Sequence, residues 1–204
     1  MPGKAAIGLT GFAKAGKDSV GKILVEDYGY IRASFADVLR EALYRLNPTI
    51  NVVDTAGFPS FTFESAIPHY PQQLWTLRDL VDEVGWDDAK TRHPEVRRLL
   101  QVMGTEVGRQ LLYEDVWVDA VLMKLNPLRH YVFTDVRFSN EAFRIRLFFR
   151  DVGGAQIWRI VRPGIGPINV HASEAGLPDG DIDREFWNSH DIPYLREIIG
   201  DYLS

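Results

Sequence analysis

Apolar and polar positions along this chain switch repeatedly between a strand period and a helical one, and the switches set out an order of elements. Residues 5–10, AAIGLT, form a short apolar run ending at Gly11, the pattern of a buried strand that feeds a glycine turn. In KDSVGKILVEDYG, Val20, Ile23, Leu24 and Tyr28 recur at helical steps, and Gly29 supplies a stop. YIRASFA, 30–36, predicts a second strand, after which Asp37 can cap the helix VLREALYRLN before Pro48. Strand, turn, helix, strand, helix is βαβ order and argues for a parallel sheet.

From Asn47 to Gln73 that rhythm breaks. Pro48, Pro59, Pro68 and Pro71 punctuate the stretch, with Phe58, Phe61 and Phe63 between them. A segment this long without periodicity is functional or disordered in a compact domain, and its aromatics favour an insert close to the substrate. Helical patterns follow at about 74–84, 94–113 and 115–125. YVFTDVR, 131–137, restores strand character, and Ser139 is placed to cap the helix after it. AQIWRIVRP, 155–163, is another strand that stops at a proline. Gly164 to Asp183, with four glycines and two prolines, reads as a long mobile loop. EFWNSH and IPYLREIIGDYL then predict a last short strand and a closing helix, and no internal repeat is present.

Composition narrows the class more than the fold. With 204 residues the chain can build one sizeable core, or a core with a small insert. Its 46% hydrophobic and 25% charged residues suit a globular protein. No apolar run reaches the ~18–20 residues of a membrane span, so the expectation is a cytoplasmic protein without a membrane partner. The absence of Cys excludes disulfides, thiolate zinc sites and Cys nucleophiles, and five scattered His show no metal-ligand spacing. A net charge of −5 argues against a general electrostatic grip on nucleic acid, but leaves room for a small anion held by a local cation cluster.

Such a cluster has a candidate between the first strand and the first helix. Gly11-Phe12-Ala13-Lys14-Ala15-Gly16-Lys17 matches the phosphate-binding pattern G-x-x-x-x-G-K, but Asp18 stands where a hydroxyl is expected and Ser19 comes one residue late. The glycines allow the N–H groups of the Ala13, Lys14, Ala15 and Gly16 stretch to turn toward phosphates, and Lys17 would reach the β- and γ-phosphates. A plain glycine-rich turn with an exposed lysine is the alternative. Asp18 either holds Mg²⁺ through a water or leaves metal and α-phosphate to Ser19. Its own charge beside phosphates requires a cation close by, which strengthens the expectation of Mg²⁺.

Two further sites follow from spacing. Asp135 is delivered at the carboxyl edge of an apolar strand, where the acidic partner of Mg²⁺ belongs and where parallel sheets bind ligands. Arg137 lies two residues on, on the same side of an extended chain, and could clamp an acceptor phosphate; a salt bridge between the two is the alternative. In RRLLQVMGTEVGRQ, the residues Arg98, Gln101, Thr105 and Arg109 share one helical face. Gly104 and Gly108 each cost about 1 kcal/mol in a helix relative to Ala, and invite close approach by a backbone or ligand. A solvated face with Glu106–Arg109 pairing explains the stripe equally well. GWDDAK, 85–90, and Arg92 add candidates upstream.

Together these segments resemble the deoxynucleoside monophosphate kinases of tailed bacteriophages, a branch of the P-loop nucleotide kinases. The resemblance rests on GxxxxGKDS, FADVLREAL, GWDDAK, VRRLLQVMGTEVGRQ with the VW after it, TDVRFSNEAF, IWRIVRP and HASE, in family order from about residue 5 to 200. An Asp after the P-loop lysine recurs in that family. The resemblance implies an α/β fold, with a five-stranded parallel sheet flanked by helices. It also implies one kinase domain with core 1–46 and 114–204, a helical NMP-binding insert at about 47–113 and a lid at about 163–183.

The implied reaction moves the ATP γ-phosphoryl to a deoxynucleoside 5′-monophosphate, with ATP and Mg²⁺ as cofactors and a homodimer as the assembly. Lys17, Asp135, Arg137 and Arg162 would carry catalysis, and Asp18, Ser19 and Asp135 would face the metal. Arg159 and Asn188 join the loop residues in binding ATP, although surface charge and a helix cap remain open for them. Ser34, Phe35, Lys90, Arg98, Gln101, Thr105, Glu106, Arg109 and Arg137 are the acceptor-binding candidates. His171 of HASE would orient the lid or touch a phosphate, which a lone loop histidine more often does not. No covalent intermediate is required; positioning, charge neutralisation and exclusion of water carry such a transfer. A kinase of another small acceptor, such as dephospho-coenzyme A, and a nucleotide-binding switch are the competing expectations.

Overall fold

The protein was analysed as a computed structural model that describes residues 4–53, 72–166 and 176–203. Phe58, Phe61, Phe63 and His171 therefore lie outside the described residues. The chain divides into two units, Met1–Val38 with Asp115–Ser204, and Leu39–Glu114.

The first unit is built on five strands, β1 (Ala6–Thr10), β2 (Ile31–Ala33), β5 (Tyr131–Phe133), β6 (Ala155–Val161) and β7 (Arg184–Trp187). They form one sheet in the order β2-β5-β1-β6-β7, and every pairing is parallel. The two-residue period of the strands divides the core. Ala6, Tyr131, Phe133 and Ile157 face Val118, Val121, Ala142, Ile145 and Phe149 of helices α5 (Val116–Leu122) and α6 (Ser139–Phe149). Ile7, Leu9, Val132, Trp158 and Ile160 face Val20, Ile23, Leu24, Leu195 and Ile199 of helices α1 (Lys17–Tyr28) and α7 (Ile192–Leu203). Helices on both faces bury both sets of side chains, which is why AAIGLT is apolar throughout instead of alternating.

The strands of the βαβ segments are shorter than their apolar runs. β2 stops at Ala33, and helix α2 (Phe35–Leu46) starts two residues before Asp37, so Asp37 lies in its first turn and is not its cap. β5 stops at Phe133, and Ser139 is the first residue of α6 instead of the residue before it.

The second unit departs further from the expected pattern. Residues 74–84 do not form one helix: β4 (Gln72–Thr76) pairs antiparallel with β3 (Thr49–Val53), and helix α3 (Leu77–Arg92) begins only after it. The Thr76 hydroxyl accepts the Asp79 N–H at 3.2 Å and so caps α3. GWDDAK lies inside α3, at a kink where Gly85 takes φ 78°. Helix α4 (Pro94–Gln101) gives way to a π-helix, Val102–Leu112, in which hydrogen bonds reach five residues back, as from Tyr113 N–H to Gly108 O at 3.1 Å. That winding takes more residues per turn than an α-helix, so four-residue steps fall short of a full turn. Leu43, Ile50, Leu77, Leu80, Val81, Ala89 and Val96 form the core of this unit. Among the described residues, no helix is long and apolar enough to cross a membrane.

Candidate active site

Beyond the carboxyl end of β1 the chain turns through left-handed conformations at Gly11 (φ 133°), Lys14 (φ 66°) and Gly16 (φ 106°), and α1 begins at Lys17. Two of these positions also leave no room for a side chain. A Cβ on Gly11 would stand 2.3 Å from the Ile160 carbonyl oxygen, and one on Gly16 would stand 2.3 Å from Asn188 Nδ2. Both glycines are thus required by conformation and by space together. The result is a loop of backbone amides at a helix N-terminus, the arrangement that receives a phosphate. Lys17 Nζ donates to Gly11 O at 2.7 Å and Phe12 O at 2.8 Å, which holds the ammonium over the loop. Asp18 is exposed and Ser19 half-buried in the first turn of α1.

Asn188 belongs to this loop. It is buried, its Nδ2 donates to Ala15 O at 2.9 Å, and its backbone N–H donates to Val161 O at 2.7 Å. The cap of α7 comes from Asp191 instead, whose carboxylate accepts the Tyr194 N–H at 3.1 Å.

Asp135 is fixed from both sides. Thr134 N–H bonds Ala33 O of β2 at 3.2 Å and Val136 N–H bonds Leu9 O of β1 at 3.1 Å, which sets the intervening carboxylate at the carboxyl edge of the sheet. There it accepts from Ser34 Oγ at 2.9 Å, Phe35 N at 3.1 Å and Ala36 N at 2.8 Å. The cap of α2 is therefore this distant aspartate, which satisfies amides a helix start leaves open. The chain bends at Thr134, so Asp135 and Arg137 are not successive same-side positions of one strand. Arg137 is exposed, and its backbone N–H donates to Glu141 Oε2 at 2.6 Å. Glu141, buried, also accepts the Phe138 N–H at 3.1 Å and so caps α6.

Arg32, which spacing did not single out, lies just before the residues that hold Asp135. On β2, it donates to Asp37 Oδ2 at 2.7 Å and contacts Oδ1 at 3.5 Å. The Asp37 hydrogen bond above all, and then the charges of Asp37, Asp135 and Asp18, hold its guanidinium pKa above the usual value. A cation in a three-residue parallel strand was the available clue.

At the other side of β1, Arg159 donates to Asp179 Oδ1 and to Leu177 O, both at 2.6 Å, and lies 3.6 Å from Glu185. Arg162 is exposed at the turn after β6. Leu177 is buried in the core, and Asp183 accepts Ile157 N–H at 2.7 Å, so the described return of the long loop is anchored to the sheet.

The other acceptor candidates fall in the second unit, whereas Ser34 and Phe35 fall in the first. Lys90 is half-buried near the end of α3. Arg98 grips Glu95 through two contacts, 2.8 and 2.7 Å, which pushes the Glu95 pKa below and the Arg98 pKa above their ordinary values. Gln101 closes α4; Thr105, Glu106 and Arg109 lie on the π-helix, where Arg109 Nη1 donates to Glu114 O at 3.2 Å. Arg40 of α2, also not singled out, lies 3.6 Å from Asp87 and 5.9 Å from the Trp86 ring.

Comparison with known proteins bears on both units. The family model described as deoxynucleotide monophosphate kinase matches residues 76–199. A protein of Acanthamoeba polyphaga mimivirus, provisionally named a deoxynucleotide monophosphate kinase, is 27% identical over 192 residues, covering 84% of this chain and 81% of its own. The deoxynucleoside-5′-monophosphate kinase of Escherichia phage T5 is 29% identical over 141 residues, 63% of this chain and 53% of its own. The chain thus spans about half the length of that relative. Among solved structures, dephospho-CoA kinase from Campylobacter jejuni aligns over 98% of each chain, with 12% identity and a TM-score of 0.38.

Proposed function

This chain belongs to the deoxynucleotide monophosphate kinase family, and on that premise we propose that it transfers the γ-phosphoryl group of ATP to the 5′-phosphate of a deoxynucleoside monophosphate. The observation that carries the reading is the loop of left-handed Gly11, Lys14 and Gly16 at the N-terminus of α1, with Lys17 held over it. Such a loop offers directed N–H groups and a mobile charge to a phosphate chain. The acceptor is itself a phosphate, so no general base is needed. Catalysis then rests on holding two phosphates in line and neutralising the charge between them.

Mg²⁺ fits the donors on the first turn of α1, since Asp18 and Ser19 present hard oxygen atoms. Bound there, the ion would neutralise charge on the transferred phosphoryl group. Direct ligation by Asp135 would compete with the three hydrogen bonds its carboxylate already accepts, so Asp135 acts through α2 or through water. Arg137 and Arg162, both exposed, supply charge to the phosphates, and Arg159 shapes the return of the long loop. Ser34 and Phe35, with Lys90, Arg98, Gln101, Thr105, Glu106 and Arg109, supply the acceptor contacts. The proposal places the enzyme in the cytoplasm as a homodimer, with small-molecule substrates only.

The test is ADP release from ATP and Mg²⁺ with dAMP, dCMP, dGMP, dTMP and the ribonucleotides offered singly. ADP formation should depend on a deoxynucleoside monophosphate, and Lys17→Ala should lower it by about a hundredfold or more, the scale of a lost charge contact at a transferring phosphoryl. If no monophosphate stimulates release while ATP still binds, the acceptor lies elsewhere and the proposal fails.

A further inference from the structure

Asp115 stands at the cap position of α5, yet its side chain makes no hydrogen bond to that helix. A carboxylate well suited to the open amides of a helix start is spent elsewhere. Its Oδ1 accepts from Asn140 Nδ2, on the first turn of α6, at 2.7 Å. One turn further along both helices Arg144 pairs with Asp119, and the Arg144 Nε lies 3.9 Å from Asp115. We propose that Asn140 is a positioning residue for Arg137: bonded to Asp115, it sets the register of α6 against α5, and with it the place of Arg137 beyond the carboxyl end of β5. The inference rests on the proposed contact of Arg137 with a substrate phosphate.

The path from Asn140 to Arg137 is short. Val136 N–H is held by Leu9 O of β1 at 3.1 Å, so Arg137 stands where the chain leaves the sheet for α6. Its own N–H and that of Phe138 donate to Glu141 Oε2 at 2.6 and 3.1 Å, which ties the Arg137 backbone to the first turn of α6. Asn140 lies in that turn, next to Glu141. Beneath it, Ala142, Ile145 and Phe149 share one apolar core with Val118 and Val121 of α5. Apolar contact is non-directional, whereas a hydrogen bond is satisfied at one register only. Asn140 and Arg144 on α6, like Asp115 and Asp119 on α5, are four residues apart, and the four side chains make two rungs of one ladder. Arg144, Asp115 and Asp119 have side chains 33%, 27% and 22% exposed, so salt and water weaken these rungs less than they would a surface pair. The Asn140 rung is the one nearer Arg137 in the chain.

A merely structural role, fastening α6 to α5, is the alternative, and the test separates the two. Melting temperature and kcat/KM for a deoxynucleoside monophosphate at saturating ATP are measured for five chains. These are the wild type, Asn140→Ala, Arg137→Lys, the Asn140→Ala/Arg137→Lys pair and the exchanged pair Asn140→Asp/Asp115→Asn. Asn140→Ala should lower kcat/KM about tenfold at a temperature well below its melting point, the scale of a contact group displaced by a fraction of an ångström. The exchanged pair keeps a hydrogen bond between the same positions with its direction reversed, and should stay within about threefold of wild type. Arg137→Lys has already lost the paired donors of the guanidinium, so adding Asn140→Ala to it should cost no more than about twofold. The inference is overturned if Asn140→Ala keeps the wild-type kcat/KM, whatever its melting temperature. It is equally overturned if the exchanged pair folds but is as slow as Asn140→Ala, or if the full loss persists on Arg137→Lys. Should the exchanged pair not fold, the Arg137→Lys comparison decides alone. Absence of acceptor-dependent ADP release by the wild type would remove the proposed function and this inference together; with that release present, the variants judge the inference by itself.

Discussion

The two units hold their polar side chains by different means. In the first, the ties around the phosphate loop join distant segments, Asn188 to Ala15 across 173 positions and Asp135 to Ser34 across 101, and at the amino end of the sheet Tyr30 reaches Lys4 across 26. In the second, several charges pair within a single helix, as in Glu41–Arg45, Asp88–Arg92 and Glu95–Arg98, beside longer ties from Tyr44 to Asp82, from Asn47 to Arg78 and from Arg40 to Asp87. A tie between distant segments exists only in the folded chain and so fixes geometry in advance. A pair one turn apart forms in any helix, is screened by water, and gives up its partner to a ligand at little cost. The loop that would hold the donor is therefore preorganised, whereas Arg98, proposed to meet the acceptor, is recruitable.

The sharpest way to break this contrast is Gly16→Ala. The new Cβ meets Asn188 Nδ2 at 2.3 Å on a backbone of φ 106°, so urea unfolding should show a loss of about 2–3 kcal/mol. Combining it with Asn188→Ala should recover part of that loss; two simply additive losses would mean that the two residues do not interlock.

Alkaline unfolding probes another distant tie. Tyr30 is buried, donates to Lys4 O at 2.8 Å, and desolvation raises its pKa from 10.0 to about 12. A raised folded-state pKa gives stability that is complete below pH 10 and disappears as pH climbs toward 12. Over that window the wild type should lose roughly 2 kcal/mol that Tyr30→Phe does not lose. Parallel pH profiles for the two proteins would contradict the assignment.

Asp135→Ala removes the cap of α2 and should lower stability by about 1–2 kcal/mol, with Asp135→Asn closer to wild type because one oxygen remains. At the small end stands Arg98→Gln in the second unit. Its exposed one-turn pair with Glu95 should leave the melting temperature unchanged, while the KM for the monophosphate rises several-fold at constant ATP affinity. A lower melting temperature with unchanged KM would make Arg98 a structural residue and blur the contrast between the units.

Much of the first unit could be read from residues 5–29 and 131–161, because strands covered on both faces announce themselves as continuous apolar runs and the phosphate loop is a local motif. What could not be read there is long-range. The capping of α2 by Asp135 and the docking of Asn188 on Ala15 join segments with no mark of their pairing, so Asp37 and Ser139 looked like the caps. In the second unit the Gln72–Thr76 strand passes into α3 without a turn residue between them, and its apolar positions fit a helix equally well. Gly104 and Gly108 marked a weak point in the helical stripe, but nothing local specifies that its hydrogen bonds lengthen to five residues.

The most direct measurement is transfer of label from [γ-³²P]ATP to unlabelled deoxynucleoside monophosphates, with the products separated by chromatography. The account predicts labelled deoxynucleoside diphosphate, formed in step with ADP, and about a hundredfold less or lower still with Lys17→Ala. Label released only as inorganic phosphate, or carried to an acceptor other than a nucleoside monophosphate, would contradict it.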